Sequence, residues 1–350
     1  MPTVTVNGVQ LNYLQVSGGE DDEREDLVMV HGLATNLAFW YFRYAPEFSR
    51  RFRVTLLDLR GHGRSAMPAE GYSPSNLARD LELLLDHLGI RQAHMVAHSY
   101  GGVVAMYFAR AQPERVRSMV LADGHITALR HLESPREWEY GRTIQSVLDR
   151  HGLDLDTRDP YFGYQLLTRM AQWQLRGEPV PDDLASLVMP LLGNTGRRTA
   201  MQWLRLMETT SAASEMMGDD GLTIDDLNAL RFPILAIYGD NSHARLTGEK
   251  LLDVWPHAEF RRVRDAGHFF PASRPEDVIA DCGRFWDGGF RHHSRRRRPG
   301  ENRNYFRSDR VYCSGDAWYF TTREHGRVGP FADREQACRE LATLFPAAEA

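Results

Sequence analysis

Ser99 stands in the run Ala97-His98-Ser99-Tyr100-Gly101-Gly102, one serine among small residues where an apolar stretch gives way to a helical pattern. A serine hydroxyl is a poor nucleophile at neutral pH, and it becomes useful only when a neighbouring imidazole accepts its proton during attack. The preceding His94-Met95-Val96-Ala97 reads as a short buried strand, and Val103 to Ala111 repeats at helical spacing. Ser99 is therefore expected on a sharp strand-to-helix turn. Such a turn holds its central residue in a sparsely populated backbone conformation and needs small residues two before and two after it. Ala97 and Gly101 meet that demand.

The elements that would position this serine recur along the chain. Leu27-Val28-Met29-Val30 runs into His31-Gly32-Leu33, and Val54-Thr55-Leu56-Leu57-Asp58 runs into Arg60-Gly61-His62-Gly63-Arg64-Ser65. Leu77, Leu81, Leu84, Leu85 and Leu88 mark one face of a helix that stops at Gly89, and Ser118 to Ala122 is another apolar strand, ended by Asp123. At the amino end, Thr3–Val6 and Gln10–Leu14 alternate around Asn7-Gly8, a hairpin signal. Strands alternating with helices predict a mostly parallel sheet covered on both faces, with its site at the carboxyl ends of the strands.

From about His125 to Asn228 the strand pattern gives way to helical periods, in Trp138–Leu148, Tyr161–Leu175 and Arg198–Met217. This stretch carries Trp138, Trp173 and Trp203 and Met170, Met189, Met201, Met207, Met216 and Met217, side chains that adapt to irregular apolar shapes. Strand character returns at Phe232–Tyr238. The expected organisation is a core of residues 1–124 and 229–290, a helical insertion at 125–228, a basic linker at 291–303 and a small α+β module at 304–350. The run Arg291 to Gly300 reads as exposed chain. Beyond it, Arg310–Tyr312, Ala317–Arg323 and Gly329–Phe331 suggest short strands, and Asp333–Leu344 a closing helix. So short a module buries little surface alone, so it should lean on the rest of the chain or on a protein partner.

Composition excludes several classes. A net charge of −5 argues against a general nucleic-acid-binding surface. Cys282, Cys313 and Cys338 are too few and too far apart for a disulfide framework or a zinc site. No cationic segment leads into an apolar stretch at the start, and no run reaches the ~20 apolar residues of a membrane span, so a cytoplasmic protein is expected.

In these features, taken in order, the chain resembles the α/β hydrolase superfamily from about Thr3 to Phe290. The resemblance rests on the His31-Gly32 turn, the Asp58-to-Ser65 turn, the GxSxG-like elbow with Ala97 at its first position, and Ala266-Gly267-His268-Phe269-Phe270. It implies that His268 is the base, that the backbone N–H groups of Leu33 and Tyr100 form the oxyanion hole, and that 125–228 is the cap. His31, His62 and His98 would shape the turns, and His125 and His243 could line the pocket. The acid is where the chain departs from its relatives: the GxxD pattern counted from Gly239 puts Ser242 where they carry aspartate. Asp123 and Asp240 compete for that role, and Asp123 is preferred because some superfamily members place their acid after the equivalent strand. The implied chemistry is hydrolysis of an ester, lactone or thioester with an apolar portion through an acyl-enzyme, with no metal and no organic cofactor. Two alternatives are carbon–carbon hydrolysis of a diketone and non-catalytic ligand binding on the same fold. The terminal WYF and GPF elements resemble small β-rich modules appended to bacterial proteins.

Overall fold

A computed structural model of the chain describes residues 1–17, 24–130, 139–159, 161–185, 196–217, 221–255 and 257–289, and, nearer the carboxyl terminus, 311–314, 317–322, 326–332, 336–337 and 339–340. The described residues form two units, Met1–Arg291 and His292–Ala350. The basic run, Trp138, Met189, and parts of the closing helix lie outside the described residues.

The larger unit is built on an eight-stranded sheet in the order β1-β2-β4-β3-β5-β6-β7-β8. The strands are β1 (Thr3–Val6), β2 (Val9–Val16), β3 (Asp26–Val30), β4 (Arg53–Leu57), β5 (Ala93–His98), β6 (Val116–Ala122), β7 (Ile234–Gly239) and β8 (Glu259–Val263). β1, β2 and β4 pair antiparallel, and every pairing from β4 through β3 to β8 is parallel. The Asn7-Gly8 turn between β1 and β2 has positive φ at both residues, 49° and 72°, as a two-residue hairpin requires.

The strand period of two separates the core into two layers. Val28, Val30, Met95, Ala97, Met119 and Leu121 face one layer, with helices Pro74–His87 and Tyr100–Ala111. Leu27, Met29, Val96, Val120 and Ile237 face the other, with Trp40, Tyr44, Phe52, Val278 and Trp286. β3, β5 and β7 are buried along their whole length, the near-continuous apolar reading of strands covered on both sides.

The insertion is helical where described, in Glu139–Arg150, Phe162–Arg176, Asp182–Ala185, Gly196–Thr209, Ala212–Met216 and Ile224–Ala229. Leu148, Phe162, Met170, Trp203 and Leu206 join the first core layer. The single helix read over Arg198–Met217 is in fact two, parted at Thr210-Ser211. The break frees Ser211 N–H to donate to Ala69 O at 2.8 Å, and it sets Glu215 to accept from the amides of Gly71 (3.1 Å) and Ser73 (2.7 Å). These bonds tie the insertion to the loop after β4, a tertiary gain that outweighs helix continuity. No helix among the described residues is long and apolar enough to cross a membrane.

In the smaller unit, β9 (Val311–Ser314), β10 (Ala317–Thr322) and β11 (Gly326–Phe331) form an antiparallel sheet in the order β11-β10-β9.

Candidate active site

Four turns at the carboxyl ends of β3, β5, β6 and β8 carry the chemistry-bearing residues, and each contains a non-glycine residue at positive φ: Ala34 (52°), Ser99 (53°), Asp123 (53°) and Asp265 (52°). Such conformations cost free energy and persist only where the surroundings enforce them. At Ser99, N–H donates to Ala122 O (3.0 Å) and the carbonyl accepts from Gly102 N–H (2.9 Å), which ties the elbow to β6 and to its own helix. A Cβ on Gly101 would lie 2.5 Å from His31 O and 2.7 Å from Val30 O, so only glycine lets this helix seat against the end of β3. Ala97 is fully buried, and its methyl group fits the first position of the elbow.

The loop after β8 brings His268 Nε2 to 2.9 Å from Ser99 Oγ and Nδ1 to 2.6 Å from Asp123 Oδ2. A carboxylate only accepts, so Nδ1 carries the proton and the Nε2 lone pair faces the serine hydroxyl, the tautomer a general base requires. Asp123 is wholly buried. Its Oδ1 accepts from Gly239 N–H at 3.0 Å, and Oδ2 accepts from the Ser242 hydroxyl as well as from His268.

Burial pushes Asp123 up to about 6, with the Ser242 hydroxyl, His243, the Gly239 amide and His98 working against the rise. Burial also pushes His268 down to about 4. At neutral pH the pair is thus a carboxylate beside a neutral imidazole, ready to accept one proton.

Asp240, the competing acid, is not brought to His268. Its carboxylate takes Arg262 Nε at 2.7 Å and its N–H bonds Val263 O, so the residue turns toward β8 and away from the imidazole.

Tyr100 follows the serine in the chain, and the turn that carries Leu33 lies against it in space. Tyr100 opens the helix Tyr100–Ala111, so its N–H belongs to the first turn, where amides point out of the helix end. Leu33 follows Gly32, whose missing Cβ would lie 2.9 Å from Ser99 Cβ, so the turn after β3 sits directly against the serine.

The other histidines build the frame. His31 Nε2 accepts from Leu59 N–H (3.1 Å), which joins the turns after β3 and β4. His98 Nε2 donates to the carbonyl of His268 (2.9 Å), while its ring stacks on Phe39 at 4.8 Å. His62 lies 5.5 Å from the His31 ring, and burial pushes both His62 and His98 down to about 3. His243 lies 4.6 Å from the His268 ring, and His125 Nδ1 is 3.1 Å from Thr247 Oγ1. The Asp58-to-Ser65 motif is a knot that shapes the turn: Asp58 accepts from the Leu37 and Arg64 amides and from Asn12, and Arg60 pairs with buried Asp80 through two bonds of 2.6 Å.

Sequence reasoning had no role for Ser242 beyond its displacement of the expected aspartate, and that displacement was the available signal. A second arrangement escaped it entirely. At the amino ends of β5 and β6, His94 Nδ1 lies 2.8 Å from Ser118 Oγ and Nε2 lies 3.1 Å from Glu25 Oε2. No group of three or more His, Cys, Asp or Glu among the described residues is arranged to hold a metal ion.

The chain belongs to the alpha/beta hydrolase fold family, whose description residues 27–275 match, and residues 296–345 match a domain of unknown function. It is similar to the dihydrolipoyllysine-residue acetyltransferase component of the acetoin cleaving system of Pseudomonas putida, 39% identical over 33% of this chain and 30% of that protein. It is also similar to a putative carbamate hydrolase of Caulobacter sp. (strain K31), 34% identical over 35% of this chain and 45% of that one. The chain thus spans about a third to a half of these relatives. A non-heme haloperoxidase of Rhodococcus erythropolis is 28% identical over 69% of this chain and 82% of its own. Among solved structures, an N-acyl homoserine lactone degrading enzyme, Est816, is 26% identical with a TM-score of 0.55, covering 81% of this chain and all of that one. The enol-lactonase of Burkholderia xenovorans LB400 is 22% identical with a TM-score of 0.57, over 82% of this chain, and shares the fold.

Proposed function

We propose that the protein is a serine hydrolase that cleaves a carboxylic ester, lactone or thioester with an apolar portion, using Ser99 as nucleophile, His268 as base and Asp123 as acid. The observation that carries the reading is the unbroken run of hydrogen bonds from Ser99 Oγ through both nitrogens of His268 to a buried carboxylate, at 2.9 and 2.6 Å. In the first step His268 Nε2 takes the hydroxyl proton as Ser99 Oγ bonds to the substrate carbonyl carbon. The N–H groups of Leu33 and Tyr100 receive the negative oxygen. The imidazolium, held by Asp123, then protonates the leaving alcohol or thiol as the acyl-enzyme forms. Water repeats the sequence to release the acid.

A hydroxyl at the elbow, where alkyl-enzyme chemistry needs a carboxylate nucleophile, favours acyl transfer over epoxide opening. The helical insertion is read as the cap over this site. The likeness to a lactone-degrading enzyme puts lactones first in a substrate screen. Labelling with a fluorophosphonate probe tests the reading: the parent chain should label and Ser99→Ala should not. A parent that stays unlabelled and turns over no ester, lactone or thioester would make the chain a ligand-binding member of its family, and turnover of diketones alone would move it to carbon–carbon hydrolysis.

A further inference from the structure

The loop after β7 carries a buried hydroxyl, that of Ser242, and aims it at the carboxylate supplied from β6. We infer that Ser242 is a positioning residue for Asp123: its O–H fixes the charged carboxylate and the lone pair that faces His268, an assignment that rests on the Ser99–His268–Asp123 reading.

The loop leaves the hydroxyl little freedom. Ser242 is buried, its N–H bonds Gly239 O at 3.2 Å, and its Oγ accepts from Ala244 N–H at 3.1 Å. With that lone pair engaged, the one hydroxyl proton points to Asp123 Oδ2. The same oxygen receives His268 Nδ1–H, and Gly239 N–H holds Oδ1, so both carboxylate oxygens are pinned from the loops after β7 and β8. Asp240, two residues before Ser242, is drawn off by Arg262, which leaves the hydroxyl as this loop's side-chain contribution to the acid.

A carboxylate with no solvent exposure holds its charge only if donors replace water. The titratable groups facing Asp123 are His268 after β8, His98 at the end of β5 and His243 on the loop of Ser242. His98 and His268 are held neutral by burial, so hydrogen bonds carry much of the compensation. Removal of one such bond to an ionised group raises the pH needed to keep Asp123 charged.

The test is the pH profile of kcat/KM for Ser242→Ala and Ser242→Thr. Ser242→Ala should move the acidic limb up by about one pH unit and so lower the rate at neutral pH about twofold and at pH 5 about tenfold. Ser242→Thr, which keeps the hydroxyl, should return the limb to its parental position. An unmoved limb in Ser242→Ala overturns the inference, as does a threonine variant that behaves like alanine. A second measurement needs no turnover: the downfield proton resonance of His268 Nδ1–H, read in the resting protein, should weaken at a higher pH in Ser242→Ala than in the parent. Identical resonances would overturn the role of Ser242 even in an active enzyme. Absence of fluorophosphonate labelling in the parent would instead overturn the hydrolase reading and leave this resonance to judge Ser242. A Ser242→Asp/Asp123→Ser exchange covers the case in which the alanine variant folds poorly, with at least tenfold recovery over Asp123→Ser expected and no recovery counting against a shared seat.

Discussion

A serine–histidine–carboxylate arrangement stands at each end of β5 and β6. At the carboxyl end stand Ser99, His268 and Asp123, and at the amino end Ser118, His94 and Glu25, with serine-to-histidine distances of 2.9 and 2.8 Å. Residue types and first distances barely separate them. The surroundings do. Ser99 is partly exposed on a strained turn at the start of a helix, whereas Ser118 is fully buried within β6, paired with His94 in the ladder. Strand amides around Ser118 are committed to neighbouring strands and offer no oxyanion site. The carboxylates are reversed as well: Asp123 is inaccessible and held by three donors, while the Glu25 side chain is 45% exposed and shares itself with Arg117. A serine beside a histidine is common chemistry in a fold, and access together with a place for developing charge makes it a site.

The sharpest break would come from the two serines. Ser99→Ala should lower turnover of a p-nitrophenyl ester by about ten-thousandfold or more, whereas Ser118→Ala should leave it within about twofold of the parent; a reversed result would exchange the roles of the two ends. The acids come next. Asp123→Asn should cost about a thousandfold or more in kcat by disturbing the imidazole tautomer, while Glu25→Gln and Asp240→Asn stay close to the parent in the same assay.

Acid acts on both ends in the same direction but through different readouts, turnover at one and stability at the other. Asp123 is pushed up to about 6 and must be charged, and His268 is pushed down to about 4, so kcat/KM should fall as pH drops through about 6. His94 is held below its usual range by burial, and Glu25 ends below its own, the pull of His94 and Arg117 outweighing its burial. Lowered values in both mean that the unfolded chain binds protons first, so stability there is present near neutrality and is lost toward lower pH, by His94 below its ordinary 6.5 and by Glu25 only below its ordinary 4.5. Thermal melts and rate profiles across pH 4 to 8 should show kcat/KM falling through about 6 and the melting temperature declining from about 6.5 downward, as the unfolded chain takes up protons that the buried histidines refuse. The smallest effect is structural: Ser118→Ala leaves His94 without this hydroxyl and should cost about 1–3 kcal/mol in denaturant unfolding, with Glu25→Gln nearer 0.5 kcal/mol.

Much of the frame was legible because strand burial writes itself as apolar runs and turns as glycine-rich stops. The order of turns placed Ser99 and His268 at the ends of β5 and β8. The acid stayed open between Asp123 and Asp240 because both follow apolar strands, and only the lateral order of β6, β7 and β8 reveals that Arg262 draws Asp240 away. The helix break at Thr210-Ser211 was hidden because its cause lies in the distant amides of Gly71 and Ser73. The Ser118 arrangement was hidden for the same reason, Ser118 and Glu25 lying 24 and 69 residues from His94.

The positive-φ residues on the four carboxyl-end turns, Ala34, Ser99, Asp123 and Asp265, place the strain of the sheet at one end. Strained positions of this kind cost about 1–3 kcal/mol each, and glycine at any of them would relieve part of that burden at the expense of the side chain it removes. At Ser99 and Asp123 the two demands fall on the same residue, so a glycine there should exchange turnover for stability.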